Sequence, residues 1–284
     1  MSKIALVAIG RRENLYAVEF VEHYKKLGFD NIFIIDNNHD GEEHFEEVLQ
    51  PYVDEGFVKI LNYRNQVNCQ MRAYTEVYEK IKNDYDWIAF YDFDEFLLVN
   101  GMNVKEWLSK FPTDCQEVLV NWMCMTDSNL VHYDDRPLMD RFRTPMPFDR
   151  PVQYSFPDNF HVKAIIKGGL VVRFGGNPHV PDTPLVAYNA SGIRCENRPW
   201  QPIDYTMAFL KHFTTKTIQE WCERKLQVGT PDRDPKNFLP FYKDRFFKIN
   251  EVTQSKLDYL KSIGAILEPS DGISDQDPNS CPQA

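Results

Sequence analysis

The run Trp87-Ile88-Ala89-Phe90-Tyr91-Asp92-Phe93-Asp94-Glu95-Phe96 carries an apolar strand directly into three carboxylates within four residues. Charges are costly to bury unpaired, so acids gathered at a strand's end call for a cation or a basic partner. In an open α/β sheet, ligands bind outside the carboxyl ends of the strands. Extended backbone would put Asp92 and Asp94 on one side, where both are expected to reach one divalent metal. Oxygen or mixed oxygen/imidazole ligation suits Mg²⁺ or Mn²⁺, which also takes phosphate oxygens. The plain alternative is that these acids cap the strand in water.

The elements that would position this cluster alternate. Lys3–Ile9 reads as a short buried strand. Over Asn14–Leu27, Leu15, Val18, Val21, Tyr24 and Leu27 recur every three residues, and Tyr16, Phe20 and Tyr24 every four, which gives one apolar helix face. Gly28 is placed as its C-terminal stop. Strands are expected at Ile32–Asp36, Phe57–Leu61 and Trp87–Tyr91, with helices at Glu42–Gln50, stopped by Pro51, and at Asn68–Lys82. Such alternation implies parallel pairing through crossover helices in an α/β sheet. Beyond residue 100 a short helix at Val104–Phe111 precedes a buried strand at Glu117–Met125 and a Pro-punctuated loop over 126–160. Val162–Ile166 and Leu170–Phe174 read as a hairpin about Gly168-Gly169. From Tyr205 to Leu267 the pattern is mostly helical, broken at Thr230–Pro240, and 269–284 reads as a disordered tail.

Composition narrows the function classes. The 284 residues carry 42 acidic against 32 basic side chains, a formal charge of −10, which argues against a polyanion partner. Apolar runs such as Ile4–Ile9 are far short of the roughly 20 residues a membrane span needs. The N-terminal run is also too short for a signal-peptide core. Six scattered cysteines contain no C-x-x-C pair, so neither a disulfide framework nor a zinc knuckle is indicated. The terminal Cys281-Pro282-Gln283-Ala284 lacks the aliphatic pair of a prenylation box. The chain reads as cytoplasmic, with the inner face of a membrane as a further location; Lys236, Lys243, Arg245 and Lys248 give a weak hint of an anionic surface.

A strand followed by D-x-D has two common chemical readings. In phosphotransferases the first Asp is a nucleophile, and the motif sits on the first strand and continues with Thr or Val. In GT-A glycosyltransferases it follows one nucleotide-binding half, which matches a fourth-strand position continuing into Glu95-Phe96. Several segments then match in order. Ala8-Ile9-Gly10-Arg11-Arg12-Glu13-Asn14, followed by Glu19-Phe20-Val21-Glu22-His23-Tyr24, is similar to an opening "K-N-E…Y-x-x-E-W-x-x-x-H". Leu27-Gly28-Phe29-Asp30-Asn31-Ile32 into Ile35-Asp36-Asn37 is similar to "L-G-v-d-x-i-x-i-y-D-N". Asp92-Phe93-Asp94-Glu95-Phe96, Val162-Lys163-Ala164-Ile165-Ile166, Pro178-His179-Val180-Pro181 and Lys211-His212-Phe213-Thr214-Thr215-Lys216 follow, the last similar to "H-Y-x-x-K-S". From residue 3 to 229 the chain resembles a GT-A glycosyltransferase of the bacterial family 2-like group related to glycosyltransferase family 92.

The resemblance implies a Rossmann-like nucleotide-diphospho-sugar transferase fold, a mixed sheet flanked by helices with a C-terminal helical elaboration. It implies a transferase domain over 1–229, a helical extension over 230–268 and a tail over 269–284. Asp36 would accept a hydrogen bond from the nucleotide base, with Ala8, Ile9 and Arg12 lining the base and ribose pocket and Arg12 or Arg11 near phosphate. Asp92 would contact ribose or metal, Asp94 would ligate the metal, and His179 or His212 would complete its shell. Lys216, and with it Lys163, would pair with the diphosphate, while Glu95 would orient Arg72 or Lys216 or serve the acceptor. An inverting transfer needs a base, and Asp127, Asp140 and Glu196 are the candidates. The family's "F-G-S-S-G"-like segment is replaced here by Met125-Thr126-Asp127-Ser128-Asn129. Among 14% aromatics, Trp200 in a polar loop is the best placed to stack on an acceptor sugar, whereas Trp122 and Trp221 read as core.

The expected activity is transfer of a sugar from a nucleotide donor, of UDP type, to a saccharide hydroxyl in surface polysaccharide or lipid-linked glycan synthesis, with Mn²⁺ or Mg²⁺ as cofactor. A phosphoryl- or nucleotidyl-transferase using the same acids would instead turn over a nucleoside triphosphate. A non-catalytic carbohydrate-binding relative would have lost metal and nucleotide binding, and retention of Asp92 and Asp94 counts against it. Oligomeric state is not specified by these residues.

Overall fold

The computed structural model describes residues 2–147, 158–226 and 246–264. The chain divides into two compact units, Met1–Glu251 and Val252–Ala284. The break expected at Thr230–Pro240 and the tail over 269–284 lie outside the described residues, as do Lys236, Lys243 and Arg245. In the second unit the described structure is chiefly one helix, α7 (Gln254–Ser262). No described helix is long and apolar enough to cross a membrane.

The first unit opens as the alternation predicts: β1 (Ile4–Gly10), α1 (Asn14–Leu27), β2 (Asn31–Asp36), α2 (Glu46–Asp54), β3 (Val58–Asn62), α3 (Gln70–Ile81) and β4 (Trp87–Phe90). It continues with β5 (Glu95–Val99), α4 (Val104–Leu108), β6 (Glu117–Cys124), α5 (Leu138–Arg141), β7 (Val162–Lys167), β8 (Ala187–Asn189), β9 (Arg194–Cys195), β10 (Ala208–His212) and α6 (Ile218–Trp221). The sheet order is β3-β2-β1-β4-β7-β6-β10-β5, with β8 and β9 attached beside β6. Its first four strands are parallel. β7 runs antiparallel to both β4 and β6, β10 is parallel to β6, and β5 is antiparallel to β10. The result is the expected mixed sheet flanked by helices.

Period-2 alternation divides each strand between two cores. On β1, Ile4, Leu6 and Ala8 join one apolar cluster, and Ala5, Val7 and Ile9 join the other. α1 buries Tyr16, Ala17, Phe20, Val21 and Tyr24, the face its spacing predicts, and Gly28 closes it at φ 103 with its N–H on the Lys25 carbonyl. That left-handed conformation carries no steric cost at glycine.

Several expected elements come out differently. α2 starts at Glu46 and passes through Pro51 instead of stopping there, giving up the one N–H that would have bonded to the Glu47 carbonyl. Leu170–Phe174 is not a strand. The backbone N–H groups of Gly168 and Gly169 donate to the carbonyls of Asp86 and Lys82, so this turn docks on the α3–β4 loop and β7 pairs with β4 and β6 instead. Within the supposedly helical 205–267 stretch, Ala208–His212 is a central strand, because its alternating burial fits between β6 and β5. β5 itself, directly after the acidic run, is a further strand that the sequence reading missed.

Candidate active site

β4 ends at Phe90, and Asp92, Phe93 and Asp94 form a turn before β5, closed by the Glu95 N–H on the Asp92 carbonyl at 3.0 Å. The expectation that Asp92 and Asp94 share one side of an extended segment is therefore corrected. Phe93 is the pivot. Its ring is 1% exposed, stacked on Phe45 at 5.2 Å and tilted on Phe20 at 4.7 Å. A Cβ on Gly10 would lie 2.6 Å from this ring, so the end of β1 must be glycine for Phe93 to seat. With Phe93 anchored inward, the flanking acids turn to different cations.

Asp92 accepts from Lys163 Nζ at 2.6 Å and more loosely from Tyr74 OH and Gln70 Nε2 at the start of α3. Lys163, fully buried on β7, also lies 3.5 Å from Glu95 Oε1. Burial works against its charge, but Asp92 and Glu95 outweigh that effect and hold its pKa above the ordinary lysine range. Glu95 is fully buried, and one of its oxygens accepts the Asp92 backbone N–H at 2.9 Å. Burial drives its pKa well above the carboxylate range, against the pull of Lys163. Glu95 thus orients Asp92 and Lys163. It does not orient Arg72, which pairs on the surface with Glu76, or Lys216.

Asp94 faces the other way. His212 Nε2, at the carboxyl end of β10, and Lys216 Nζ each stand 3.6 Å from its carboxylate. Lys216 has φ 53, a conformation costly for a non-glycine residue, and its Nζ lies 4.6 Å over the Tyr16 ring. The start of α6 holds it there. Thr217 and Glu220 form a capping box at that helix end, and Glu220 also accepts from Tyr16 OH at 2.6 Å and from both terminal nitrogens of Arg141. Arg224, paired with Glu13, covers Tyr16 at 5.1 Å.

Trp122 on β6 gathers the imidazoles. Its ring centroid is 4.1 Å from that of His212, 4.9 Å from His179 and 5.2 Å from His161. His179 Nδ1 lies 2.9 Å from the Val162 carbonyl. Burial and the neighbouring Lys163 push its pKa well below the usual histidine range. His179 and Trp200 line a cavity of about 470 Å³ together with His161 and Asn177.

The other expected residues fall in varied places. Asp36 ends β2, with Oδ1 accepting from the N–H and Nδ2 of Asn38 and Oδ2 bound to Arg64 at 2.8 Å. Arg64 also ties down the carbonyls of His39, Glu42 and Glu43, so Asp36 is the hub of that loop. The side chains of Ala8 and Ile9 lie in the two cores, which leaves only their backbone to face a ligand. Arg12 is exposed at φ 56 with its N–H on Asn38, and Arg11 pairs with Glu42. Asp127 is buried just past β6, its N–H on Asn250 and its Oδ1 accepting from Asn129. Asp140 and Glu196 are exposed and paired with Arg143 and Arg198. Among the described residues no hydrogen bond or ion pair joins either to the acidic turn.

The donor chemistry at Asp94 and His212, one carboxylate and one imidazole on adjacent strand ends, fits a divalent cation of the Mn²⁺ kind, provided Lys216 gives way. Asp92, committed to Lys163, is the poorer ligand. Elsewhere, one acidic group among the described residues can hold a metal ion: Asp36, His44 and Glu46 present ligand atoms within 4.8 Å of one another. Asp36 is already spent on Arg64, and the other two are exposed.

Sequence reading undervalued Lys163 and missed Arg64, Arg224 and His161. Lys163 left a signal: within Val162-Lys163-Ala164-Ile165-Ile166 it shares a face with buried Ile165, and an inward lysine needs an acid.

Residues 9–148 match the model of glycosyltransferase family 92, the family to which the ordered motifs pointed, and this match supports a glycosyltransferase enzyme. No curated protein matches the sequence. Among solved structures, TarS of S. aureus is 10% identical at a TM-score of 0.42, over 94% of this chain and 49% of that one. The chain therefore spans about half the length of that TarS structure. TarS 1-349 in complex with UDP-GlcNAc is 9% identical at a TM-score of 0.40, over 92% of this chain and 80% of that one. A putative glucose-1-phosphate thymidylyltransferase from Bacillus anthracis, in complex with a sucrose, is 10% identical at 0.31, over 94% of this chain and 96% of that one.

Proposed function

We propose that this protein is a metal-dependent glycosyltransferase that moves a sugar from a UDP-sugar to a hydroxyl of a saccharide acceptor, in surface polysaccharide or lipid-linked glycan synthesis at the cytoplasmic face of a membrane. The observation that carries the reading is Asp94, set by the Phe93 anchor at the strand ends between His212 and Lys216 at 3.6 Å each. The family match over residues 9–148 supports the same reaction class. The transferase domain is assigned to 1–229, with 230–268 as its helical extension and 269–284 as a tail.

Asp94 and His212 would hold Mn²⁺ or Mg²⁺, which when bound neutralises charge developing on the leaving diphosphate. Lys216, released from Asp94, would meet the diphosphate, with the exposed Arg12 at the nucleotide side. Lys163 and Glu95 keep Asp92 fixed toward the donor. In an inverting transfer the acceptor oxygen bonds to the anomeric carbon and passes its proton to a carboxylate, while the carbon–diphosphate bond breaks with its electron pair leaving on phosphate. Of the three base candidates Asp127 is assigned this role, because it alone is buried at the carboxyl end of a central strand.

Thermal unfolding with UDP, UDP-sugars and nucleoside triphosphates, with Mn²⁺ or with EDTA, tests the reading. A ligand at a hundred times its Kd stabilises the fold by about 2.7 kcal/mol. The expected result is a Mn²⁺-dependent rise with UDP ligands that disappears in Asp94→Ala. A rise with triphosphates alone would replace this reading with phosphoryl or nucleotidyl transfer.

A further inference from the structure

The start of α6 fixes a lysine beside the carboxylate assigned to the metal. Asp94 Oδ1 faces His212 Nε2 and Asp94 Oδ2 faces Lys216 Nζ, each at 3.6 Å, so both oxygens meet a nitrogen. All three side chains are buried. The backbone holds them in step, with the Phe213 N–H donating to the Asp94 carbonyl at 2.8 Å and the Met125 N–H to the His212 carbonyl at 2.9 Å. A divalent cation on Asp94 and His212 would stand against the Lys216 ammonium, and like charges repel strongly where water is scarce. A buried lysine separated from its acid needs another anion.

The main chain at Lys216 cannot relieve that conflict. Lys216 sits at φ 53, and the next residue, Thr217, caps α6. Glu220 locks the cap, accepting the Thr217 N–H at 3.1 Å and its hydroxyl at 2.7 Å. The same carboxylate accepts from Tyr16 OH on α1 and from both terminal nitrogens of Arg141 on α5, which ties three helices to this turn. A change of partner therefore falls to the Lys216 side chain, whose four-carbon stem is flexible. Its Nζ already lies 4.6 Å over the Tyr16 ring. An aromatic face attracts an ammonium without neutralising it, so Tyr16 keeps the ammonium in the site when Asp94 is taken. Arg224, on the same ring at 5.1 Å, is held by Glu13.

A diphosphate resolves the conflict, because it offers oxygens to a metal ion and to an ammonium together. We propose that Lys216 is an exchangeable counter-ion: in the free protein it neutralises Asp94 in the metal's stead, and it yields that carboxylate when a nucleoside diphosphate arrives to take its ammonium, with Tyr16 as the surface it moves over. Lys216 thus opposes the metal without nucleotide and supports the nucleotide once the metal is bound. Metal and nucleotide then tighten each other's binding by the same factor, as linkage requires.

The inference rests on the metal-dependent transferase reading, and two titrations of opposite sign separate the two. Mn²⁺ binding to the full-length protein is measured without nucleotide, from the paramagnetic resonance of the free ion. UDP binding is measured by calorimetry at saturating Mn²⁺. The wild-type protein is compared with Lys216→Met, which keeps a long stem and loses the charge, and with Lys216→Arg, which keeps the charge. Lys216→Met is expected to bind Mn²⁺ at least about tenfold more tightly and UDP at least about tenfold more weakly, the size of one charge-assisted contact in each case. Lys216→Arg is expected to stay near wild type in Mn²⁺ affinity. A gain of affinity is a result that a merely damaged site does not give, and it is expected to disappear when Asp94→Asn is added. Unchanged or weaker Mn²⁺ binding in Lys216→Met, unchanged UDP affinity in that variant, or an equal gain in Lys216→Arg overturns the inference and leaves the transferase reading in place. A gain that survives Asp94→Asn, or failure of UDP to bind the wild-type protein with Mn²⁺, overturns both.

Discussion

At the carboxyl ends of β4 and β10, Asp92, Asp94 and Glu95 share two lysines and a histidine, while at the opposite ends of the strands, where β6 begins, Glu117 is as buried as Glu95 and neither of its oxygens has a hydrogen-bond partner. The register fixes this opposition, because Glu117 and Ile88 at the start of β4 both align with Ile166. Burial alone raises the Glu117 pKa to about 8. Glu95 experiences the same push, but Lys163 pulls against it. Burial makes both carboxyls reluctant to ionise; at Glu95 a packed lysine pulls the other way, whereas at Glu117 burial acts alone.

Removing the cation from the charged end should have the largest effect. Lys163→Met keeps the volume but strands Asp92 and Glu95, and a broken buried pair costs about 3–5 kcal/mol. Urea unfolding of the variant at pH 7 checks this, and an unchanged midpoint would mean that the two ends are equivalent. Glu117→Gln sharpens the contrast through pH. The folded-state pKa of Glu117 is raised, so its stabilising contribution is complete below the unfolded value near 4.5 and is lost as pH rises through about 8. Each pH unit in that window costs about 1.4 kcal/mol. The wild-type protein should lose about 3 kcal/mol more than Glu117→Gln between pH 5 and pH 8, measured by urea unfolding at both. Parallel slopes would show that Glu117 has a partner in solution. The smallest effect belongs to Tyr91→Phe. Its buried hydroxyl, beside Glu95, has no hydrogen-bond partner, so deleting it should stabilise the protein by about 1 kcal/mol. A loss of stability would reveal a bond to the acidic turn.

The first half, β1 to β4, was readable because its signals are local. The three- and four-residue steps of Tyr16, Phe20 and Tyr24, the Gly28 stop and the apolar runs of β1, β2 and β4 each follow from neighbours along the chain. The second half was less readable. Ala208–His212 lies beside residues that do form a helix, and only its ladder with Trp122–Cys124 and Glu95–Val99 makes it a strand. Asp36, Asp92, Asp94, His179 and His212 could be picked out as candidates from their types and order, but their partners could not. Arg64 reaches Asp36 from β3's end, and Lys163 reaches Asp92 across 71 residues. Asp140 and Glu196 were indistinguishable from Asp127 by composition, and burial separates them.

The sequence by itself determined the alternation of β1 to β4, the placing of acids immediately after a buried strand and the ordered motifs, since periodicity and residue type depend only on near neighbours. Tertiary structure decided that Phe93 faces inward and so turns Asp92 and Asp94 toward different cations. It also decided that three histidines meet on Trp122 and that a cavity without described charges opens beside them. Those arrangements depend on contacts between segments tens of residues apart, whose distances and hydrogen-bond directions are set only when the strands pack into one sheet.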